Sequence, residues 1–240
     1  MVKISERLRT AAGLIGEGER LADVGTDHGY VPIYLVERKR IPSAIAMDIR
    51  TGPLERAREH IRMYGMEDYI QTRLSDGVAA LKPGEADTIL IAGMGGGLVI
   101  HILESGRVIC EQAHGLVLQP QSELPKVRRF LMENGYVTER EEMVMEDGKY
   151  YHMMRVHFDA SAVSHADSFT EEQELEFRYG KQLLTEKHPV LLAYLRWEVQ
   201  IQQDIITQLS GQPATEQIAA RIDDVKQILA QNARALAYYE

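Results

Sequence analysis

The run Leu21-Ala22-Asp23-Val24-Gly25-Thr26-Asp27-His28-Gly29-Tyr30 constrains this chain more than any other. Its first four residues read as a short buried strand, and a tight, acidic, glycine-punctuated turn follows. Gly25 and Gly29 let the backbone turn sharply and come close to a ligand, while Asp23 and Asp27 put two carboxylates at the carboxyl end of the strand. A dinucleotide fingerprint would need glycines at the first, third and sixth positions of the turn. Here the third position is Asp27 and the sixth is Tyr30, and a pyrophosphate beside Asp27 would meet a like charge. A nucleotide-type ligand with an amino or cationic end suits the turn better, as S-adenosylmethionine does with its ammonium and sulfonium. On these residues alone, a plain strand-to-helix turn with its acids capping the next helix stays open.

Two further strand ends repeat the pattern. Ser43-Ala44-Ile45-Ala46-Met47-Asp48 is an apolar run ending in an acid. Asp48 follows Gly25 at about the 20-residue spacing of an acid that binds a ribose hydroxyl pair. Tyr69 to Gly77 ends in Asp76-Gly77, where a carboxylate is placed to accept from an adenine amino group. Three such ends in series belong along one edge of a parallel sheet, where folds of this kind bind ligands.

The alternation of strand and helix signals runs to about residue 158. Helices are expected from Glu6 to Ile15, Tyr30 to Arg38, Pro53 to Tyr64, Leu98 to Glu104 and Leu124 to Asn134. Strands are expected from Arg20 to Val24, Ser43 to Asp48, Ile70 to Leu74, Asp87 to Ala92, Gly115 to Gln119, Val137 to Met145 and Tyr150 to Phe158. Glu146-Asp147-Gly148-Lys149 joins the last two as a hairpin. The predicted fold class is therefore α/β, a class I Rossmann-like methyltransferase sheet of parallel strands plus an antiparallel C-terminal hairpin.

After the small, polar stretch Asp159 to Ser168 the pattern changes. Thr170 with Glu171, Glu172 and Gln173 resembles a capped helix start. Heptad spacing follows in Leu192, Leu195, Val199, Ile206 and Leu209, breaks at Ser210-Gly211-Gln212-Pro213, and resumes in Ile218, Ile222, Val225, Leu229, Leu236 and Tyr239, with Asn232 at a skipped position. This predicts a C-terminal helical appendage, an antiparallel coiled coil. The expected domains are residues 1–159, binding S-adenosylmethionine, and the helical residues 160–240.

Composition sets outer bounds. The lone Cys110 rules out an internal disulfide and suits a reducing compartment. The amino terminus is too polar for a secretory leader and no apolar run approaches a membrane span, so no membrane partner and a cytoplasmic location are expected. The eight histidines show no ligand spacing for zinc, so no metal is expected. The net charge of −9 speaks against a nucleic-acid partner, although basic clusters stand at Lys3, Arg7 and Arg9, at Arg38-Lys39-Arg40, and at Lys126, Arg128 and Arg129.

The runs LADVGTDHGYVPIYL, AMDIRTGPLERA, LSDGVAAL, EADTILIAGMGGGLVIHIL and VLQPQ together resemble the bacterial TrmK-type tRNA adenine-N1 methyltransferases, which modify adenine 22 in the tRNA core. The likeness spans nearly the whole chain. It implies S-adenosylmethionine as cofactor and tRNA as substrate partner. The residues alone leave a small-molecule methyltransferase and a non-catalytic S-adenosylmethionine-binding protein open, and a monomer is slightly favoured.

On this resemblance Asp27 offers negative charge to a base that becomes cationic, and His28 and Tyr30 line the mouth as hydrogen-bonding or stacking partners. These three form the expected catalytic group. Arg7 matches a basic position of the family and is placed to reach the methionyl carboxylate or a tRNA phosphate. With Asp23, Gly25, Asp27, His28, Gly29, Asp48, Asp76, Gly77, Gly93 and Met94 it makes up the expected cofactor-binding set. The loop Ala92-Gly93-Met94-Gly95-Gly96-Gly97 stands where many amino-group methyltransferases carry Asn-Pro-Pro-Tyr, a departure that favours a ring nitrogen as acceptor. Its glycines allow close approach to donor or base, and the helix after it is expected to present its amino terminus to a phosphate. Gln119-Pro120-Gln121 is expected to frame the base pocket.

Overall fold

The computed structural model describes residues 1–164, 168–213 and 215–240. The chain divides into two compact units, Met1–Ser168 and Phe169–Glu240. The sequence assigns Ala160 onward to the helical part, whereas the described residues up to Ser164 fall with the first unit. There the 3-10 turn Ala160–Ala162 is capped by Asp159, and the Ser164 N–H donates to the Met132 carbonyl at 3.3 Å. Residues 165–167 of the expected polar linker lie outside the described residues.

The first unit alternates α1 (Glu6–Gly13), β1 (Leu21–Val24), α2 (Tyr30–Glu37), β2 (Ala44–Asp48), α3 (Thr51–Met63), β3 (Ile70–Leu74), β4 (Thr88–Met94), α4 (Gly96–Ser105), α5 (Arg107–Gln112), β5 (Gly115–Pro120), α6 (Leu124–Glu133), β6 (Tyr136–Glu146) and β7 (Lys149–Phe158). The sheet order is β3-β2-β1-β4-β5-β7-β6, parallel except at β7, which pairs antiparallel with β5 and β6. β1 and β5 are buried along their whole length, as expected of central strands covered by helices on both faces. The β6–β7 turn puts Asp147 at φ 50° and Gly148 at φ 74°, and Glu146 faces Lys149 across it. Positive φ at both central residues is the turn whose twist matches two paired strands.

Because the order reverses beside β1, the carboxyl ends of β1, β2 and β3 lie side by side and open against that of β4. This is the crevice where parallel sheets take ligands. β4 runs two residues beyond the expected end at Ala92, and a bulge interrupts its pairing with β5 between Ala92 and Met94.

The second unit comprises α7 (Glu171–Tyr179), α8 (Lys181–Thr185), α9 (Pro189–Ser210) and α10 (Glu216–Ala237). Thr170 and Gln173 form the reciprocal cap that the sequence suggests. The Tyr239 hydroxyl donates to the His188 carbonyl at 2.9 Å, so α10 returns to the start of α9 and the pair is antiparallel. The fully buried positions of the pair are Leu191, Leu195 and Glu198 on α9 and Val225, Asn232 and Ala235 on α10. Leu192, Val199 and most of the other heptad positions are only half-buried, because two helices alone cannot enclose a seam. No helix among the described residues is long and apolar enough to cross a membrane.

Candidate active site

Two lobes open along the carboxyl edge and share Gly25, Ala92 and Gly93. One, of about 320 Å³, is lined by residues that include Arg7, Asp23, Asp27, His28, Tyr30 and Gln121. The other, of about 400 Å³, includes Asp48, Asp76, Gly77, Met94, Leu98 and Ile102. All twelve expected site residues line one lobe or both, Gly29 among them.

The lobes exist because the backbone withdraws between them. Gly25 has φ +77°, and a Cβ there would collide with the Met94 methyl. Gly93, also left-handed at φ +79°, sits in the β4 bulge, and a Cβ on it would point between Arg7 and Gln121 into the first lobe. The bulge takes the Gly93 N–H out of the strand ladder. It donates instead to the Gln119 side-chain oxygen at 3.1 Å, which also accepts from Arg7 Nη1 at 2.7 Å. Arg7 further lies over the Tyr151 ring at 5.3 Å, which fixes α1 as a wall of the lobe.

Asp23 is only 7 % exposed, and burial, with the Asp48 charge adding and Thr26 opposing, pushes its carboxyl up to about 6. Asp48 is buried at the end of β2 and accepts from the Arg50 N–H at 2.7 Å. The turn holding Asp76 and Gly77 is tied by buried Ser75, whose hydroxyl donates to the Gly77 carbonyl at 2.8 Å and accepts from the Ala80 N–H at 3.1 Å. Asp27 differs from Asp23 in that its side chain is 62 % exposed. Arg56 Nη2 donates to it at 2.5 Å and holds its carboxyl below the usual range.

His28, Tyr30 and His60 form a cluster of near-parallel rings with centroids 5.0–5.1 Å apart. His60 Nδ1 lies 3.1 Å from the His28 carbonyl oxygen, which only accepts, so that nitrogen carries the proton. Neither His60 nor Arg56 follows from the sequence reading. Their only sequence signal is a four-residue spacing on α3, beside the buried stripe Pro53, Ala57 and Ile61.

Several expectations change. The amino terminus of α4 does not open to a phosphate: the Gly96 N–H donates to the Ser122 hydroxyl at 3.3 Å and the Gly97 N–H to the Glu123 carboxylate at 2.9 Å. Gly96 serves packing, since a Cβ there would press on the Ser122 carbonyl and Val127. Gln119 is wholly buried and acts behind the wall, while Gln121 lines it. Of the basic clusters, Arg40 spends its guanidinium on the Ala12 and Ile15 carbonyls, Arg128 is buried against Glu141 at 2.9 Å, and Arg9 pairs with Glu6.

Residues 4–154 match the family model described as a methyltransferase domain. The chain is 34% identical over 236 residues to the tRNA (adenine(22)-N(1))-methyltransferase of Bacillus subtilis (strain 168), covering 95% of this chain and 98% of that one. The solved B. subtilis M1A22 tRNA methyltransferase TrmK superposes with a TM-score of 0.81 at 31% identity, covering 98% of this chain and 100% of the other. Streptococcus pneumoniae Sp1610, a putative tRNA (m1A22) methyltransferase solved in complex with S-adenosyl-L-methionine, superposes at 0.78 with 31% identity, covering 95% of this chain and 100% of that one.

Proposed function

The chain belongs to the tRNA (adenine(22)-N(1))-methyltransferase family, and from that premise we propose that it transfers a methyl group from S-adenosylmethionine to N1 of adenine 22 in tRNA. The observation that carries this reading is the pair of lobes meeting at Gly25 and Gly93. Two cavities with different chemistry and a shared floor of glycines suit a donor lying across the junction and an acceptor entering from one side.

The residues fit the donor. A Cβ at Gly93 would project between Arg7 and Gln121 into the first lobe, and acids line both lobes as acceptors for the donor's polar groups. Asp48 would accept from the ribose hydroxyls and Asp76, beside Gly77, from the adenine amino group. Met94, Leu98 and Ile102 give that lobe an apolar wall. Asp23 would face the ammonium and Arg7 the carboxylate of the methionyl end.

S-adenosylmethionine supplies a methyl group on a sulfonium, open to in-line displacement by a ring-nitrogen lone pair. Neutral adenine carries that lone pair at N1, so the chain need not remove a proton first. The task of its residues is alignment and electrostatics. His28 and Tyr30 would hold the base by ring contact, and Asp27 would offer a carboxylate to the charge that develops on it. In this reading the first unit carries the transfer, the helical unit is an appendage to it, and the enzyme works in the cytoplasm beside its tRNA.

The test is transfer of labelled methyl to unmodified tRNA transcript. N1-methyladenine at position 22, absent with guanine there and lost in Asp27→Ala, is the expected result. Donor binding without transfer to any tRNA would overturn the reading.

A further inference from the structure

We propose that Arg56 reads a phosphate: on binding, its guanidinium leaves Asp27 for the tRNA backbone beside the target adenine, and this exchange releases the Asp27 carboxylate to face the base. The proposal rests on the tRNA reading above and adds to it a residue that controls when Asp27 is available.

The ion pair makes the exchange necessary. Arg56 Nη2 lies 2.5 Å from Asp27 Oδ1, so the charge that would favour a cationic base is already compensated. A carboxylate held by a guanidinium offers little to a second cation. For Asp27 to act, Arg56 must be drawn elsewhere, and the group on tRNA able to draw it is a phosphate, whose oxygens match the guanidinium fork.

The surroundings make the exchange easy. The Asp27 side chain is 62 % exposed and that of Arg56 47 %, and an ion pair in such a setting contributes little to stability. Asp27, His28 and Tyr30 line the first lobe. A base entering past them carries its flanking phosphates to the exposed end of Asp27, where Arg56 stands.

The loop does not depend on the pair. His60, one helical turn beyond Arg56 on α3, is bonded at Nδ1 to the His28 carbonyl at 3.1 Å and packs against the His28 and Tyr30 rings. Asp27 also keeps a neighbour in His28, with Nε2 3.3 Å from Oδ2. Arg56 can therefore leave while the wall stays in place. One consequence is selectivity, because an acceptor without phosphate leaves the pair closed.

The experiment is a binding cycle on the full-length protein with unmodified tRNA transcript, measuring Kd against salt for wild type, Asp27→Asn, Arg56→Gln, Arg56→Lys and the Asp27→Asn/Arg56→Gln double variant. Exchange predicts that Asp27→Asn tightens tRNA binding about threefold or more by freeing Arg56, and that this gain vanishes when Arg56 is glutamine. It also predicts that Arg56→Gln lowers the slope of log Kd against log salt by about 1, with Arg56→Lys restoring it. A gain that persists in the double variant would mean simple relief of repulsion and would overturn the exchange, as would no gain or an unchanged slope. Wild type that binds the transcript but leaves adenine 22 unmethylated, or does not bind it, overturns the tRNA reading itself and the exchange with it.

Discussion

Arg7 Nη1 and Gln119 Oε1 meet at 2.7 Å across 112 residues of chain, and the same oxygen accepts the Gly93 N–H at 3.1 Å. One buried amide thus fixes both the helix wall and the bulged floor of the first lobe. Leucine at Gln119 keeps the volume and removes the acceptor, leaving the Gly93 N–H unpaired and Arg7 unanchored. Gln119→Leu is expected to lower stability by about 1–3 kcal/mol and to weaken donor binding by about tenfold. Thermal unfolding and calorimetric titration with S-adenosylmethionine check this, and an unchanged donor affinity would remove Arg7 from the donor site.

Asp23 predicts a pH dependence of defined sign. Its folded carboxyl stands at about 6 against an ordinary 3.8, chiefly through burial. The folded state therefore holds the proton more tightly than the unfolded chain. The stability this contributes is complete below about pH 4, falls as pH rises towards 6, and is flat above. The full effect is on the order of 3 kcal/mol. Donor affinity should run the other way and rise across the same window, because only the ionised carboxylate attracts an ammonium. Denaturant and donor titrations of wild type and Asp23→Asn between pH 4.5 and 7.5 test both trends. Identical pH slopes in the two proteins would show that Asp23 is not the group responsible.

In the helical unit Glu198 is 5 % exposed and accepts from Asn232 Nδ2 and the Tyr179 hydroxyl at 2.8 Å, Arg178 Nη2 at 2.9 Å and the Tyr194 hydroxyl at 3.0 Å. A buried carboxylate with four donors tolerates no simple removal, since the buried Tyr179 hydroxyl and Asn232 amide are left facing an empty gap. Glu198→Ala should destabilise this unit by about 3–5 kcal/mol while Asn232→Ala loses less. Far-ultraviolet circular dichroism against temperature would reveal the loss as an early helical transition. A wild-type melting curve for Glu198→Ala would contradict the role given to this network.

Much of the site was legible because its signals are local. A four-residue strand running into Gly25, and acids at Asp23, Asp48 and Asp76, depend on neighbours within a few positions, and the sheet order then brings the three strand ends together. Arg56 and His60 escaped because they reach the Asp27-His28 loop across 29 and 32 residues, from a helix whose own pattern marks them only as edge positions. Glu198 escaped because an acid between heptad positions reads as a solvated face, and only the packing of α7 and α10 around α9 buries it.

What the sequence determined by itself is the set of conformations that each short stretch accepts: glycine where φ is positive, Asp147-Gly148 where a hairpin must twist, a threonine and a glutamine where a helix must be capped. These follow from sterics and hydrogen bonding within a few residues. Only the tertiary structure decided which charges are spent and which stay available. Arg40 and Arg128 went inward, Arg7 became a wall, and Arg56 was left on the surface against Asp27. The reason is that a charge acts through its distance to other charges and to water, and that distance is set by segments far apart in the chain.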